Sequence, residues 1–213
     1  MATADEPVPL DKLPKPVVEA LQLRFPKAKL AEASKSLDDG KAEFVVSLKE
    51  NGKEIDVTLT AEGAITFIEK EIAERELPKA VAAAAFKKAP KAAHEGAWVG
   101  FAVKEGKEQV DHYRVELLTA AKRSLQLEIA PDGTITQVVR EIAIKDLPKA
   151  VSDAVMKKYP KAEYKLVEVV AAVENGKEVP EYYSIEIQTA DKKVVEMDLA
   201  PDGSIESEVV RKN

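Results

Sequence analysis

Few side chains of this chain are suited to catalysis or metal binding. The 213 residues include two histidines, His94 and His112, and no cysteine, which excludes disulfides, thiolate nucleophiles and cysteine-rich metal sites. A histidine metal site needs a third ligand and a supporting hydrogen-bond shell. Glu95, Glu108 and Asp111 lie near the histidines, but their spacing matches no ligand pattern. We therefore predict no metal and no cofactor.

Catalytic motifs are also missing from the sequence. It contains neither a nucleophile elbow nor a glycine-rich phosphate loop. Its many carboxylates alternate with lysines, which is typical of solvated helix and strand faces. A carboxylate pair for acid-base catalysis would form in space rather than in sequence, and no pair stands out. We expect a protein that is not an enzyme and has no catalytic residue.

Trp98, the single tryptophan, is the most informative side chain. Alternation along its segment predicts that Trp98 shares the polar face of a strand with His94, Gly96 and Gly100. An exposed tryptophan between glycines is a suitable binding anchor, because a large rigid ring gains much on desolvation and loses little rotamer entropy. Packing between neighbouring segments could instead bury it, and both interpretations stay open.

The polar side of the predicted sheet extends this hypothesis. The residues predicted to take part in protein binding are Trp98, His94, His112, Arg114 and Tyr182. Among the neighbouring tyrosines, alternation directs Tyr183 inward and leaves Tyr182 as the contact residue. The alternative for each position is an ordinary solvated sheet face.

The elements that carry these residues follow from a repeated pattern. Leu-Pro-Lys begins at positions 13, 77 and 147, a Pro-Lys-Ala follows 13 residues after each start, and each segment contains a late glycine turn. Repetition of this kind indicates a repeated supersecondary unit. Apolar residues at intervals of four, as in Leu147, Val151, Val155 and Tyr159, predict a helix. Period-two alternation between glycine turns, the first of them at Asp39-Gly40, then predicts four strands.

These patterns predict an α+β fold of three tandem repeats, each with one helix packed on a four-stranded antiparallel β-meander. Residues 1–9 are predicted to be a disordered N-terminal segment, and the repeats to span residues 10–73, 74–143 and 144–213. Junctions without a flexible linker indicate fixed geometry between the units. Whether the three sheets join, and the oligomeric state, stay open at this point.

Charge and hydropathy narrow the class of partner. The formal net charge is −6, which disfavours binding to nucleic acid. No apolar run approaches the roughly 18 residues of a spanning helix, so we predict no membrane insertion. The small, polar, proline-bearing start resembles a mature end left after removal of a signal peptide.

The third segment carries the clearest family resemblance. Its motifs are LPKAV at Leu147–Val151, YPKA at Tyr159–Ala162, NGKE at Asn175–Glu178 and APDG at Ala200–Gly203. This order resembles the PepSY-like family, which is similar to the β-lactamase inhibitor protein, a tandem of helix plus four-stranded sheet. The resemblance covers Leu10 to Val210 three times over, and the first segment lacks the Pro-Asp of the last turn.

The resemblance implies a secreted or periplasmic protein that binds another protein, such as an exported enzyme. It supplies no catalytic residues. The predicted function is therefore a noncatalytic exported protein-binding module acting through sheet faces and loops, with inhibition of a peptidase or other enzyme as its specific form. One alternative is a structural or envelope scaffold without inhibitory activity. Another is a small-molecule binding module with a pocket beside the short side chains of residues 82–84.

Overall fold

The computed structural model describes residues 6–38 and 41–211. Within these residues, 13 strands form one antiparallel sheet in which each strand pairs with its neighbours in the sequence. The predicted turn at Asp39-Gly40 lies outside the described residues. In the N-terminal segment predicted to be disordered, Glu6–Pro7 pairs with Ser34 and Lys35 as a short edge strand, and residues 1–5 are not described.

Three helices and 13 strands alternate along the described chain. The helices are α1 (Lys15–Arg24), α2 (Lys79–Lys88) and α3 (Lys149–Lys158). The strands are β1 (Glu6–Pro7), β2 (Lys29–Asp38), β3 (Lys41–Glu50), β4 (Lys53–Thr60), β5 (Ile65–Ile72), β6 (Ala93–Lys104), β7 (Lys107–Leu118), β8 (Ser124–Ile129), β9 (Ile135–Glu141), β10 (Glu163–Glu174), β11 (Lys177–Gln188), β12 (Val194–Leu199) and β13 (Ile205–Arg211). A short 3-10 turn precedes each helix, at Leu10–Lys12, Glu74–Glu76 and Ile144–Asp146.

The predicted fold class, three units that each have one helix and a four-stranded sheet, is wrong. β5 pairs with β6 from Ile72 opposite Ala97 to Phe67 opposite Ala102, and β9 pairs with β10 in the same way. The sheet is therefore continuous. An isolated four-stranded sheet would leave unpaired backbone groups along its last strand, and pairing with the next long strand satisfies them.

The helices lie on one face of the sheet and share their boundary signals. Each begins directly after a proline, at Pro14, Pro78 and Pro148. In α3, Val151 and Val155 are fully buried and belong to a core that includes strand residues such as Ile185. Each helix thus buries the narrow apolar stripe predicted from its interval of four.

Glycine turns fit closely against the helix starts. Gly63, in the turn between β4 and β5, has a φ of +85°, and a Cβ there would lie 2.5 Å from the carbonyl oxygen of Pro16. Gly203 stands in the same relation to the carbonyl oxygen of Ala150. Only glycine combines this backbone conformation with this close approach.

Two hairpins tie neighbouring parts of the helix-covered side together. Glu108, in the β6–β7 hairpin, accepts hydrogen bonds from Arg24 at the end of α1 and from Lys70 of β5, the latter at 3.2 Å. Glu178, in the β10–β11 hairpin, similarly pairs with Lys88 at 2.6 Å and Arg140 at 3.2 Å. Each hairpin therefore contacts not the helix directly before it in the sequence but the helix before that one, α1 for the first hairpin and α2 for the second. We call the opposite side of the sheet, which the three helices leave uncovered, the open face.

Candidate functional site

Strands β5 to β7 bring a group of large side chains together on the open face. Trp98 of β6 lies opposite Arg114 of β7, and Gly100 lies between Glu69 of β5 and His112 of β7. Side chains at directly opposite positions of paired strands point to the same side. We call Trp98, Arg114, Glu69, His112 and Phe67 the Trp98 cluster.

The Trp98 ring is half-buried and is held between a cation and the backbone. The Arg114 guanidinium carbon lies 3.9 Å from the centroid of the ring, a close cation–π contact. A Cβ at Gly96 would overlap the six-membered part of the ring. The neighbouring Ala97, 0% exposed, and Val99, 8% exposed, face the helix side. Glycine at position 96 is therefore what allows the ring to lie flat along its own strand.

Arg114 is fixed by two carboxylates. Its Nε donates to Glu69 Oε1 at 3.0 Å and its Nη2 donates to Glu69 Oε2 at 2.5 Å. Its Nη1 donates to Glu116 Oε1 at 2.5 Å. The side chains of Arg114 and Glu69 are 18% and 13% exposed. A forked, charge-assisted pair with so little solvent around it has one preferred geometry, so Arg114 positions Trp98.

His112 completes the network on the other side of Glu69. Its Nε2 lies 3.7 Å from Glu69 Oε1, its Nδ1 lies 3.0 Å from Asp111 Oδ2, and its ring stacks on Phe67 with centroids 5.6 Å apart. The Glu69 carboxylate raises the pKa of His112 to about 9, because its effect is larger than the opposite effect of burial. Burial would raise the pKa of Glu69, but the hydrogen bonds from Arg114 and the charges of Arg114 and His112 outweigh it and lower that pKa. At neutral pH both side chains are therefore charged.

This geometry suits binding better than proton transfer. A histidine that stays protonated at neutral pH is not available as a general base. Among the described residues, no group of three or more histidine or carboxylate side chains is arranged to hold a metal ion. What the cluster offers is a rigid aromatic surface in a fixed electrostatic setting. Tryptophan and arginine in such positions are the residue types that dominate protein interfaces.

The structure brings together only three of the five predicted binding residues. Trp98, Arg114 and His112 come together in the cluster. Tyr182 is also on the open face, farther along the sheet and opposite Val170. Tyr182 is half-buried, and its pKa is raised mainly by burial. As predicted, its neighbour Tyr183 faces the core and is buried.

The placement of His94 beside Trp98 was wrong. The pairing register of β6 shifts between His94 and Gly96, leaving Glu95 as a bulged residue. His94 consequently lies opposite the buried Leu117 and points to the helix side, with its Nδ1 3.9 Å from Glu74 Oε2. An extra residue in one strand reverses the alternation beyond it, and the sequence carried no signal for this bulge.

Glu69 and Phe67 were not among the binding residues predicted from the sequence. Both are on β5, which was predicted to belong to a different unit from Trp98, so their contact depends on the pairing of β5 with β6. A signal was present in Gly100, since a Cβ there would lie 2.6 Å from Phe67 Cζ and 3.0 Å from His112 Cε1. A glycine inside a predicted strand indicates close approach by a neighbouring group.

Comparison with known proteins assigns no family to this chain. No protein-family model matches it, so the resemblance to the PepSY-like family is not confirmed. No curated protein matches it either. Within the described residues, no helix is long and apolar enough to cross a membrane.

Solved structures with partial likeness do exist. A DUF2874 family protein from Bacteroides uniformis is 21% identical with a TM-score of 0.46, the match covering 57% of this chain and 85% of that one. A BLIP-like protein from Bacteroides fragilis is 18% identical with a TM-score of 0.40, covering 57% and 81%. A protein provisionally described as periplasmic, from Bacteroides eggerthii, is 15% identical with a TM-score of 0.46, covering 62% and 88%. TM-scores this low establish neither fold nor function for this chain.

Proposed function

We propose that this chain is a noncatalytic, exported protein-binding module that binds its partner through the open face, with the Trp98 cluster at the centre of the contact. The observation that carries the proposal is the partly exposed Trp98 ring, held by Arg114 at 3.9 Å on a sheet face that the helices leave uncovered. Export to the periplasm or beyond rests on the sequence resemblance alone.

The energetic argument depends on preorganisation. A partner that covers Trp98 would desolvate a large ring whose orientation is already set by Gly96 and Arg114, so little side-chain entropy remains to be lost. Anchors of this type contribute about 2 kcal/mol or more when they are truncated to alanine in measured interfaces. The ion pairs around the ring are satisfied within the chain and need no rearrangement on binding.

Inhibition of a peptidase or another exported enzyme is the specific form of the proposal. A broad, rigid sheet face can block access to an active site without contributing chemistry of its own. The rigidity has a structural basis in the continuous sheet and in the Glu108 and Glu178 contacts, which join the β6–β7 hairpin to α1 and the β10–β11 hairpin to α2. Those same contacts favour a second candidate, a stiff scaffold that spaces other envelope components and has no binding anchor at Trp98.

A site-directed photocrosslink separates the two candidates. A photoreactive residue replaces Gln126, a half-buried open-face position beside Glu116, so that Trp98 stays intact. The matched control carries the same group at Leu23, which is 87% exposed on α1. In an envelope extract of the source organism, we expect one discrete adduct from position 126 and none from position 23.

Competition tests whether the adduct depends on the anchor. Unlabelled wild-type protein should abolish the adduct, whereas Trp98→Ala, verified as folded by circular dichroism, should compete at least about tenfold less well. Equal adducts from both positions, or equal competition by the two proteins, would reject the proposal in favour of the scaffold.

A further inference from the structure

The open face continues beyond the Trp98 cluster across β9 to β12, and its charge there is mainly negative. Glu141 of β9 lies directly opposite Glu168 of β10, and Glu186 of β11 lies directly opposite Glu196 of β12. Asp198 is in the same row as Ser184 and faces the same side. Like charges directly opposite each other on neighbouring strands destabilise a sheet. This sheet retains two such pairs on one surface.

Little within the chain offsets this charge. Glu196 pairs with Arg211 at 2.7 Å, and Glu168 accepts a hydrogen bond from the hydroxyl of Ser124 at 3.0 Å. In the described part of the chain, neither Glu141 nor Glu186 takes part in an ion pair. The lysines of these strands on the open face are at the strand ends, where Lys165 pairs with Glu163 at 3.2 Å and Lys177 lies opposite Glu174. The Trp98 cluster differs, because His112 and Arg114 offset its carboxylates.

An apolar strip lies beside these carboxylates. Val139, Val170 and Tyr182 are directly opposite one another on β9, β10 and β11. Val170 is 4% exposed and Tyr182 is half-buried, so the strip is already packed and leaves part of an aromatic side chain accessible. A contacting surface would therefore meet a preformed apolar strip bordered by carboxylates.

From this arrangement we infer that the partner presents a lysine- or arginine-rich surface to β9–β12, while its apolar part covers Trp98 and Tyr182. This inference rests on the proposed function and specifies the chemistry of its partner. Cations from a partner would relieve the two like-charge pairs, so that part of the electrostatic cost of folding is recovered on binding. The same charge repels nucleic acid, anionic lipid and a second copy of this face.

Defined peptides test the charge requirement. The probes are a fluorescently labelled 16-residue peptide of alternating lysine and threonine and its glutamate–threonine counterpart, measured by fluorescence anisotropy against the full chain. We expect binding of the lysine peptide only, and weaker binding as salt is added. The double variant Glu141→Gln, Glu168→Gln should bind about fivefold or more weakly. The double variant Glu19→Gln, Asp153→Asn, which removes equal charge from exposed positions of α1 and α3 on the other side of the sheet, should stay within about twofold of wild type.

Equal weakening by both double variants, or no binding of the lysine peptide, would overturn the inference. A second result would also overturn it. If the protein does not bind the lysine peptide, but calcium raises its melting temperature and the double variant Glu141→Gln, Glu168→Gln abolishes that rise, the face is a cation site. The photocrosslink at position 126 is scored separately. An adduct that persists when the peptide test fails rejects the basic partner and leaves protein binding through Trp98 standing, whereas loss of the adduct rejects both.

Discussion

Two junctions of the sheet have the same backbone pairing and opposite surfaces. At the first, β5–β6–β7, Glu69, Gly100 and His112 lie opposite one another. The absent side chain at Gly100 leaves room for Phe67 and His112 to stack above the strand. The result is a network of paired charges that holds a tryptophan in place.

At the second junction, β9–β10–β11, the residues 70 positions later are Val139, Val170 and Tyr182. Valine fills the space that glycine leaves open, and Glu168, opposite Glu141, replaces Trp98. Strand pairing therefore determines the positions of the side chains at both junctions. Single residues such as Gly100 determine whether those positions form an aromatic cluster with paired charges or an acidic surface with few paired charges.

The strongest way to break the first junction is Glu69→Ala. The substitution leaves Arg114 and the protonated His112 mostly buried beside each other without their shared carboxylate. Removing one partner of such a network costs about 3 kcal/mol in the free energy of unfolding. Urea denaturation at pH 7 measures it, with Val139→Ala at the equivalent position as the control, for which about 1–2 kcal/mol is expected. Equal losses would show that the ion network adds nothing beyond packing.

Gly100→Val places the second junction's residue in the first. A Cβ at position 100 would lie 2.6 Å from Phe67 Cζ, so the stacked rings must move. We expect a loss of about 2 kcal/mol in the free energy of unfolding, as for other overpacked sites. Thermal unfolding together with the chemical shift of the His112 ring measures the effect. An unchanged ring environment would contradict the role assigned to Gly100.

The charge of His112 makes the stability of the first junction depend on pH above neutrality. The folded-state pKa of about 9 lies above the value of 6.5 for an unperturbed histidine. His112 therefore stabilises the fold fully below about pH 6.5, and this contribution is lost as pH rises through 9. After allowance for solvent screening, about 1–2 kcal/mol should disappear between pH 6.5 and 9.5.

The test compares wild type with His112→Gln by urea denaturation at both pH values. The difference between the two proteins isolates His112 from the other groups near it, which are Glu69, Asp111, Arg114 and Glu128. A difference that does not change with pH would mean that His112 is not charged by Glu69 in the folded chain.

The smallest expected effect is a gain at the second junction. Glu168→Gln removes the like charge opposite Glu141 and should raise the free energy of unfolding by about 0.5 kcal/mol at low salt. The gain should fade at high salt, because screening weakens the repulsion that the substitution relieves. Glu95→Gln, at an exposed bulged position with no residue directly opposite it, is the control and should leave stability unchanged.

The sequence predicted the local elements better than their assembly. The intervals of four at Val151 and Val155 and the prolines before each helix are short-range signals, and the helices agree with them. The pairing of β5 with β6 joins two segments that are separated in the sequence by a helix, so no local pattern predicted it. The continuous sheet and the participation of Glu69 in the Trp98 cluster were consequently missed. The bulge at Glu95 is a single-residue irregularity. Because the sequence prediction assumed uninterrupted alternation, it put His94 on the wrong face of the sheet.

Fluorine NMR of the sole tryptophan shows whether Trp98 is a partly exposed binding anchor. The chain is labelled with 5-fluorotryptophan, so position 98 gives the one resonance while partner proteins stay invisible. We expect a solvent isotope shift between H₂O and D₂O for the free protein, and a displaced or broadened resonance after addition of an envelope extract of the source organism. A resonance without an isotope shift that the extract leaves unchanged would contradict that role and assign Trp98 to packing alone.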